Sequence, residues 1–300
     1  MAPRLNRIQK QTNTSTVSAS DSIAPCQRYR SAERGTGMNK VTFEQCVEGA
    51  WRDAANFIGR YPLFVVALSA GLFFIGIARN ELRGSHSFSV FLALGALWLL
   101  RLLLITASAV QTLRHVLLRH ETAIARASAC WSYLKYGGLV YGFAACTMAL
   151  MAVIVILMIV AFHMLGIRVH ELASGAVVIC IVVMFAIWVH VRLSLLPIHV
   201  AIGMPLHWRA AWRDSRGHCL GILGTYLAIS LTLAFVALIV GVIAGAVAGI
   251  FPGALAENRG LLTKSIQDLL SIPAVVVVSA GSAWIYRRYA AELLTQSGAG

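Results

Sequence analysis

Two arginines stand in apolar surroundings that ordinarily exclude charge. Arg101 lies in Trp98-Leu99-Leu100-Arg101-Leu102-Leu103-Leu104-Ile105, and Arg192 closes the run Trp188-Val189-His190-Val191-Arg192. A guanidinium at the centre of a membrane span costs about 2.5–3.5 kcal/mol on insertion scales. It must therefore meet a partner or ligand inside the bundle, or reach the headgroups along its own stem. For Arg101 the first role is that of a ligand for a solute or a lipid phosphate. The second is a snorkelling side chain, which its place about two thirds of the way along its apolar run favours. A further constellation is Pro205-Leu206-His207-Trp208-Arg209-Ala210-Ala211-Trp212-Arg213-Asp214-Ser215-Arg216-Gly217. Trp208 and Trp212 share one helical face, and Arg209, Arg213 and Arg216 cover another. Indole rings settle at a membrane interface, and cations beside them attract anionic headgroups or a cytoplasmic protein partner. Arg101, Arg192, Trp208, Arg209, Trp212, Arg213 and Arg216 are thus the ligand or lipid-headgroup candidates.

Other chemistry is missing. Of the 12 Asp and Glu residues none falls in the middle of an apolar run, and Asp268, at the mouth of the last run, comes nearest. Ion-coupled transporters place such groups in the membrane interior. There is no H-E-x-x-H, G-x-S-x-G, P-loop or G-x-G-x-x-G. The six cysteines form no C-x-x-C pair, and Cys146 and Cys180, inside apolar runs, behave as small hydrophobes. His163 and His190 are isolated on apolar segments, as hydrogen-bonding groups rather than ligands. No catalytic residue, metal site or cofactor is expected, and the chain reads as non-enzymatic.

The elements that position these residues follow from composition. With 58% hydrophobic and only 12% charged residues, the chain departs from the roughly 25% charge of soluble domains. Six apolar segments, 61–79, 88–110, 139–163, 174–196, 219–243 and 266–286, each suffice for the roughly 17–25 residues of a span, and lipid obliges each to be helical. The expected fold is all-α, a polytopic bundle of six transmembrane helices over 61–290. Residues 1–37 read as a disordered basic tail upstream of a plausible start at Met38, and 291–300 as a short flexible tail. Residues 38–60 hold an amphipathic cytoplasmic helix: Thr42 and Gln45 fit a capping box, and Phe43, Val47, Trp51, Ala54 and Ile58 fall on one face. It lies either in the headgroups or packed on the bundle. Pro62 suits the first turn of the first span, and Pro197 breaks or bends the fourth. Pro205 opens, and Gly217 closes, a second interfacial helix. The fifth run continues apolar to Phe251, as one long helix or as a helix and a re-entrant piece. Its Gly221, Gly224, Gly241 and Gly245 are expected at helix contacts.

Charge sets the orientation. With the N-terminus inside, eighteen of the 25 Lys and Arg lie on cytoplasmic segments and five outside. The positive-inside rule then places both termini in the cytoplasm of a bacterium-type inner membrane. The same rule accounts for the net charge of +13 without nucleic acid. It also accounts for a faint repeat, Trp98…Arg101, Trp188…Arg192 and Trp284…Arg287, since Trp prefers the interface and Arg the inner side.

Arg192, Ser194, Leu195 and Pro197, followed by Ala211-Trp212-Arg213-Asp214-Ser215-Arg216-Gly217, resemble a signature of uncharacterised bacterial inner-membrane proteins. That group includes the YciC-like proteins and the membrane domain of some glycerophosphodiester phosphodiesterases. Asp214 stands where the usual pattern has an apolar residue. The resemblance implies a six-helix bundle over residues 40 to 290; the phosphodiesterase catalytic domain is absent, so no catalytic residue carries over. The function expected is a non-enzymatic scaffold or accessory protein that binds membrane lipids or a protein partner. The alternative is a transporter or channel for a small, anionic solute, with Arg101, Arg192 and His190 along its path and bends at Pro197 and Pro273.

Overall fold

In a computed structural model of the chain, residues 42–82, 87–118, 129–164, 172–250, 259–290 and 293 are described. The expectations for 1–37, for Met38, and for all of 291–300 except Leu293 lie outside them. Among the described residues the fold is all-α, and six helices are long and apolar enough to cross a membrane. The chain is a multi-pass membrane protein built as a six-span bundle.

The Thr42–Gln45 capping box forms as its residues predict: Gln45 N–H donates to Thr42 Oγ1 at 3.3 Å, and Thr42 N–H to Gln45 Oε1 at 2.9 Å. It starts α1, Phe43–Arg60. Tyr61 breaks the helix, and Pro62, whose missing N–H costs nothing in a first turn, opens α2, Pro62–Leu82. Next come α3, Phe88–Leu117, and α4, Ala129–Met164. Both exceed the roughly 20 residues a span requires. The fourth helix begins ten residues before the apolar run, so Lys135 is helical rather than in a loop.

The fourth span breaks as expected. Helix α5, Leu172–Leu193, ends at Ser194, and α6, Leu195–Ala201, carries Pro197 in its first turn. Every residue of α6 is buried. Gly203, in the left-handed region at φ 88°, turns the chain away. Helix α7, Trp208–Asp214, starts with His207 at its N-cap, so Pro205 lies before the helix instead of opening it. Gly217, at φ 84°, turns the chain after α7 and completes the expected stop. The fifth run is a single helix, α8, Cys219–Ile250, and the last is α9, Arg259–Tyr289, continuous through Pro273.

Helix α9 is the axis of the bundle: α1, α2, α3, α6 and α8 all pack on it. Helix α1 lies against it, which decides between the two expectations for this segment in favour of packing on the bundle. Its buried side is Cys46, Gly49, Ala50, Asp53, Ala54 and Phe57. This is not the face drawn by its large apolar residues, and Phe43 is exposed. The cause is close approach. The Trp284 ring of α9 lies over Gly49 and leaves no room for a Cβ, and Gly281 of α9 stands beside Ala50. Small residues set that contact, and hydrophobic periodicity does not register them. Of the glycines expected at contacts in α8, Gly221 lies under the Tyr289 hydroxyl and Gly224 near Phe43, whereas Gly241 and Gly245 face open space.

One end of the bundle gathers α1, α6, α7, the first turns of α2, α4 and α8, and the last turns of α3, α5 and α9, with Tyr133 of α4 accepting from Gln111 of α3 at 2.6 Å. Phe57 and Tyr61 meet His115 there, at 5.4 and 5.6 Å between ring centroids, and His218 meets Tyr289 at 5.0 Å. This is the basic end; the far end carries the other termini of the spans.

Candidate functional site

At the basic end, Arg192 completes α5, with its guanidinium 5.2 Å from the Trp188 ring centre and 5.3 Å from that of Trp212. The two indoles meet edge to face at 5.3 Å. Arg192 Nη1 donates to the Trp212 carbonyl at 3.2 Å. Each cation–π contact contributes about 0.5–2 kcal/mol. Arg192 and Trp212 therefore fasten α7 to α5. In the same last turn of α7, the buried Asp214 accepts the Leu293 backbone N–H at 2.9 Å. The Asp214 carboxylate thus ties Leu293 to this helix.

The remainder of the motif faces outward. Trp208 is 58% exposed, and Arg209, Arg213 and Arg216 are exposed around it. Arg209 lies 5.9 Å from the Trp208 ring centre, and Leu206 and Leu220 add exposed apolar surface. The result is a shelf with an aromatic and aliphatic edge among three cations, set on a helix fixed from behind. Of the two tryptophans expected to share a face, Trp208 points to the surroundings and Trp212 into the bundle.

Arg101 is not part of this shelf, nor is it a snorkelling residue. Its Nη1 donates to Asp268 Oδ1 at 2.7 Å. Helix α9 begins seven residues before the apolar run, so Asp268, at the mouth of that run as expected, lies within the helix. Asp268 Oδ2 occupies the space where Gly76 of α2 lacks a side chain. Three helices thus meet at an interior ion pair. Sequence reading named both charges and missed their pairing, since they lie 167 residues apart. His190 is exposed on α5 and shares no partner with Arg101.

Other arginines act as caps. Arg114 Nε donates to the carbonyl of Ala201, the last residue of α6, at 2.9 Å, and Arg287 Nη2 donates to the Val116 carbonyl in the last turn of α3. With Arg192 on the last turn of α7, three helix C-termini receive a guanidinium from a neighbouring helix, where carbonyls lack partners and the dipole favours positive charge. The charge count places Arg114 and Arg287 on cytoplasmic segments, and Arg192 is a ligand candidate at the end of a span; none of the three is expected as a helix cap. The Trp–Arg repeat accordingly divides: Arg287 lies 5.2 Å from the Trp284 ring centre and Arg192 5.2 Å from that of Trp188, whereas Arg101 turns to Asp268.

Sequence reading also passed over His199, fully buried on α6, whose Nδ1 lies 2.7 Å from the Tyr286 hydroxyl and whose Nε2 has no hydrogen-bond partner. Its neighbourhood beside Pro197 was the only sign of it. Among the described residues no three His, Cys, Asp or Glu side chains converge as metal ligands. Neither a protein-family model, nor a curated protein, nor a solved structure matches the chain.

Proposed function

We propose that this chain is a non-enzymatic protein of a bacterial inner membrane, with the basic end in the cytoplasm, that binds anionic lipid headgroups as a scaffold or accessory subunit. The observation that carries this reading is the α7 shelf. Trp208, Arg209, Arg213 and Arg216 are exposed on a short helix whose opposite side is committed to Arg192, Trp188 and the C-terminal segment. A tryptophan among cations matches the boundary of an anionic leaflet, where each cation contributes about 1 kcal/mol. The excess of Lys and Arg on the same side of the spans supports the orientation, and the family-like signature falls on the same helix.

The test is a titration of the protein in neutral detergent with short-chain phosphatidylglycerol, and with phosphatidylcholine of equal chain length. The expected result is preference for phosphatidylglycerol that falls by on the order of 10–100-fold when Arg209, Arg213 and Arg216 are all replaced by Gln. Equal affinity of the native and triple-Gln proteins would exclude the shelf.

The second reading, a transporter or channel for a small anionic solute, draws on the interior Arg101–Asp268 pair, because ionisable groups in spans mark transport paths. Arg192 and His190 stand apart from that pair, which leaves it as the support for this reading.

A further inference from the structure

The interior ion pair is chemically incomplete. At about 1.5 Å per residue, Gly76 lies about 9 Å from the far-end terminus of α2, Asp268 about 14 Å from that of α9, and Arg101 about 20 Å from that of α3. All three positions are in the far half of the bundle or near its middle. Asp268 Oδ1 takes one N–H of Arg101, and Asp268 Oδ2 is turned to the α2 backbone at Gly76. No other described residue hydrogen-bonds the guanidinium, which is a fork of several donors. The Arg101 side chain remains 24% exposed, against 11% for Asp268. In hydrocarbon, each N–H without an acceptor costs several kcal/mol. Whatever covers this face of Arg101 must therefore carry acceptor oxygens.

The surface of the three helices at this level is apolar: Ile77 on α2, Leu269 on α9, and Trp98 and Leu100 on α3 are exposed. An occupant entering here brings oxygens for the guanidinium and leaves apolar surface against these side chains. We propose that Arg101 binds phosphate oxygens at this three-helix junction, as an intramembrane site separate from the α7 shelf. Arginine's planar fork matches a phosphate through two parallel bonds, and the rigid pairing to Asp268 holds that fork in place. Because the pair sums to zero charge, a singly charged phosphodiester suits it better than a dianion. A phospholipid supplies both that group and the acyl chains.

The experiment is native mass spectrometry of the full-length protein in neutral detergent, comparing the native chain with Arg101→Lys. Lysine retains the charge opposite Asp268 and loses the fork, so a purely structural ion pair would leave the spectra alike. The expected result is a stoichiometric phospholipid on the native protein whose retention falls on the order of tenfold in Arg101→Lys, with the melting temperature nearly unchanged. Addition of inorganic phosphate separates the sources. No displacement supports the lipid, whereas Arg101-dependent binding of phosphate itself keeps the oxyanion site and assigns it to a small solute. Equal phospholipid retention by both proteins, with no phosphate bound, overturns the proposal. If Arg101→Lys fails to fold, retention is measured instead on Gly76→Ala, whose added methyl displaces Asp268 and with it the fork; undiminished retention there overturns the proposal equally. The triple-Gln shelf variant retains this lipid, so the two sites fail independently.

Discussion

At the scale of the residue, the chain spends its charges on one another and on helix ends. Arg101 and Asp268 each penalise the insertion of the helix that carries them, and each offsets part of the penalty of the other. Removing one partner strands the other in lipid, whereas removing both leaves an apolar junction. We therefore expect Arg101→Leu and Asp268→Leu each to destabilise the protein by about 3 kcal/mol, and the double variant by markedly less than either. Denaturation in detergent of the native protein, the two singles and the double measures this coupling. Additive losses would show that the pair contributes nothing as a pair. Residue identity alone announced both charges, because any charge in an apolar run is conspicuous. Their contact was hidden because hydropathy reports depth along one helix and says nothing about which neighbour faces it.

At the scale of the element, α1 shows how a helix is positioned by what it lacks. Its seat on α9 depends on Gly49 beneath Trp284, while Asp53 Oδ2 accepts the Trp284 indole N–H at 3.0 Å. Ten residues on, Gly59 has nothing near the position of an added Cβ. Gly49→Ala should therefore cost about 1–3 kcal/mol through overpacking, whereas Gly59→Ala should stabilise by up to about 1 kcal/mol through helix propensity. Thermal melts of the two variants in the same detergent check the opposite signs. The capping box, Pro62 and Gly217 were legible because each acts within a few residues of itself. The buried face of α1 was not, because an apolar-periodicity argument ranks Phe43 and Val47 above Gly49 and Ala50, and close packing reverses that order.

At the scale of the molecule, a six-helix membrane bundle was legible from the lengths of the apolar runs, since the bilayer fixes how many residues a span requires. The arrangement of the helices was not. That the last helix is the axis, and that α6 is a buried wedge, follow from side-chain volumes meeting across long sequence separations. The candidate site divides along the same line. Trp208, Arg209, Arg213 and Arg216 were found by local spacing and are displayed on one shelf. Arg192 and Trp212 were found with them and prove to be its fastening.

The measurement that tests the lipid-binding account most directly is photo-crosslinking in native membranes from a benzoylphenylalanine placed at Trp208. The account predicts crosslinks dominated by anionic phospholipid, lost when Arg209, Arg213 and Arg216 are Gln. Crosslinks that form equally with zwitterionic lipid, or that persist unchanged in the triple-Gln protein, would contradict it.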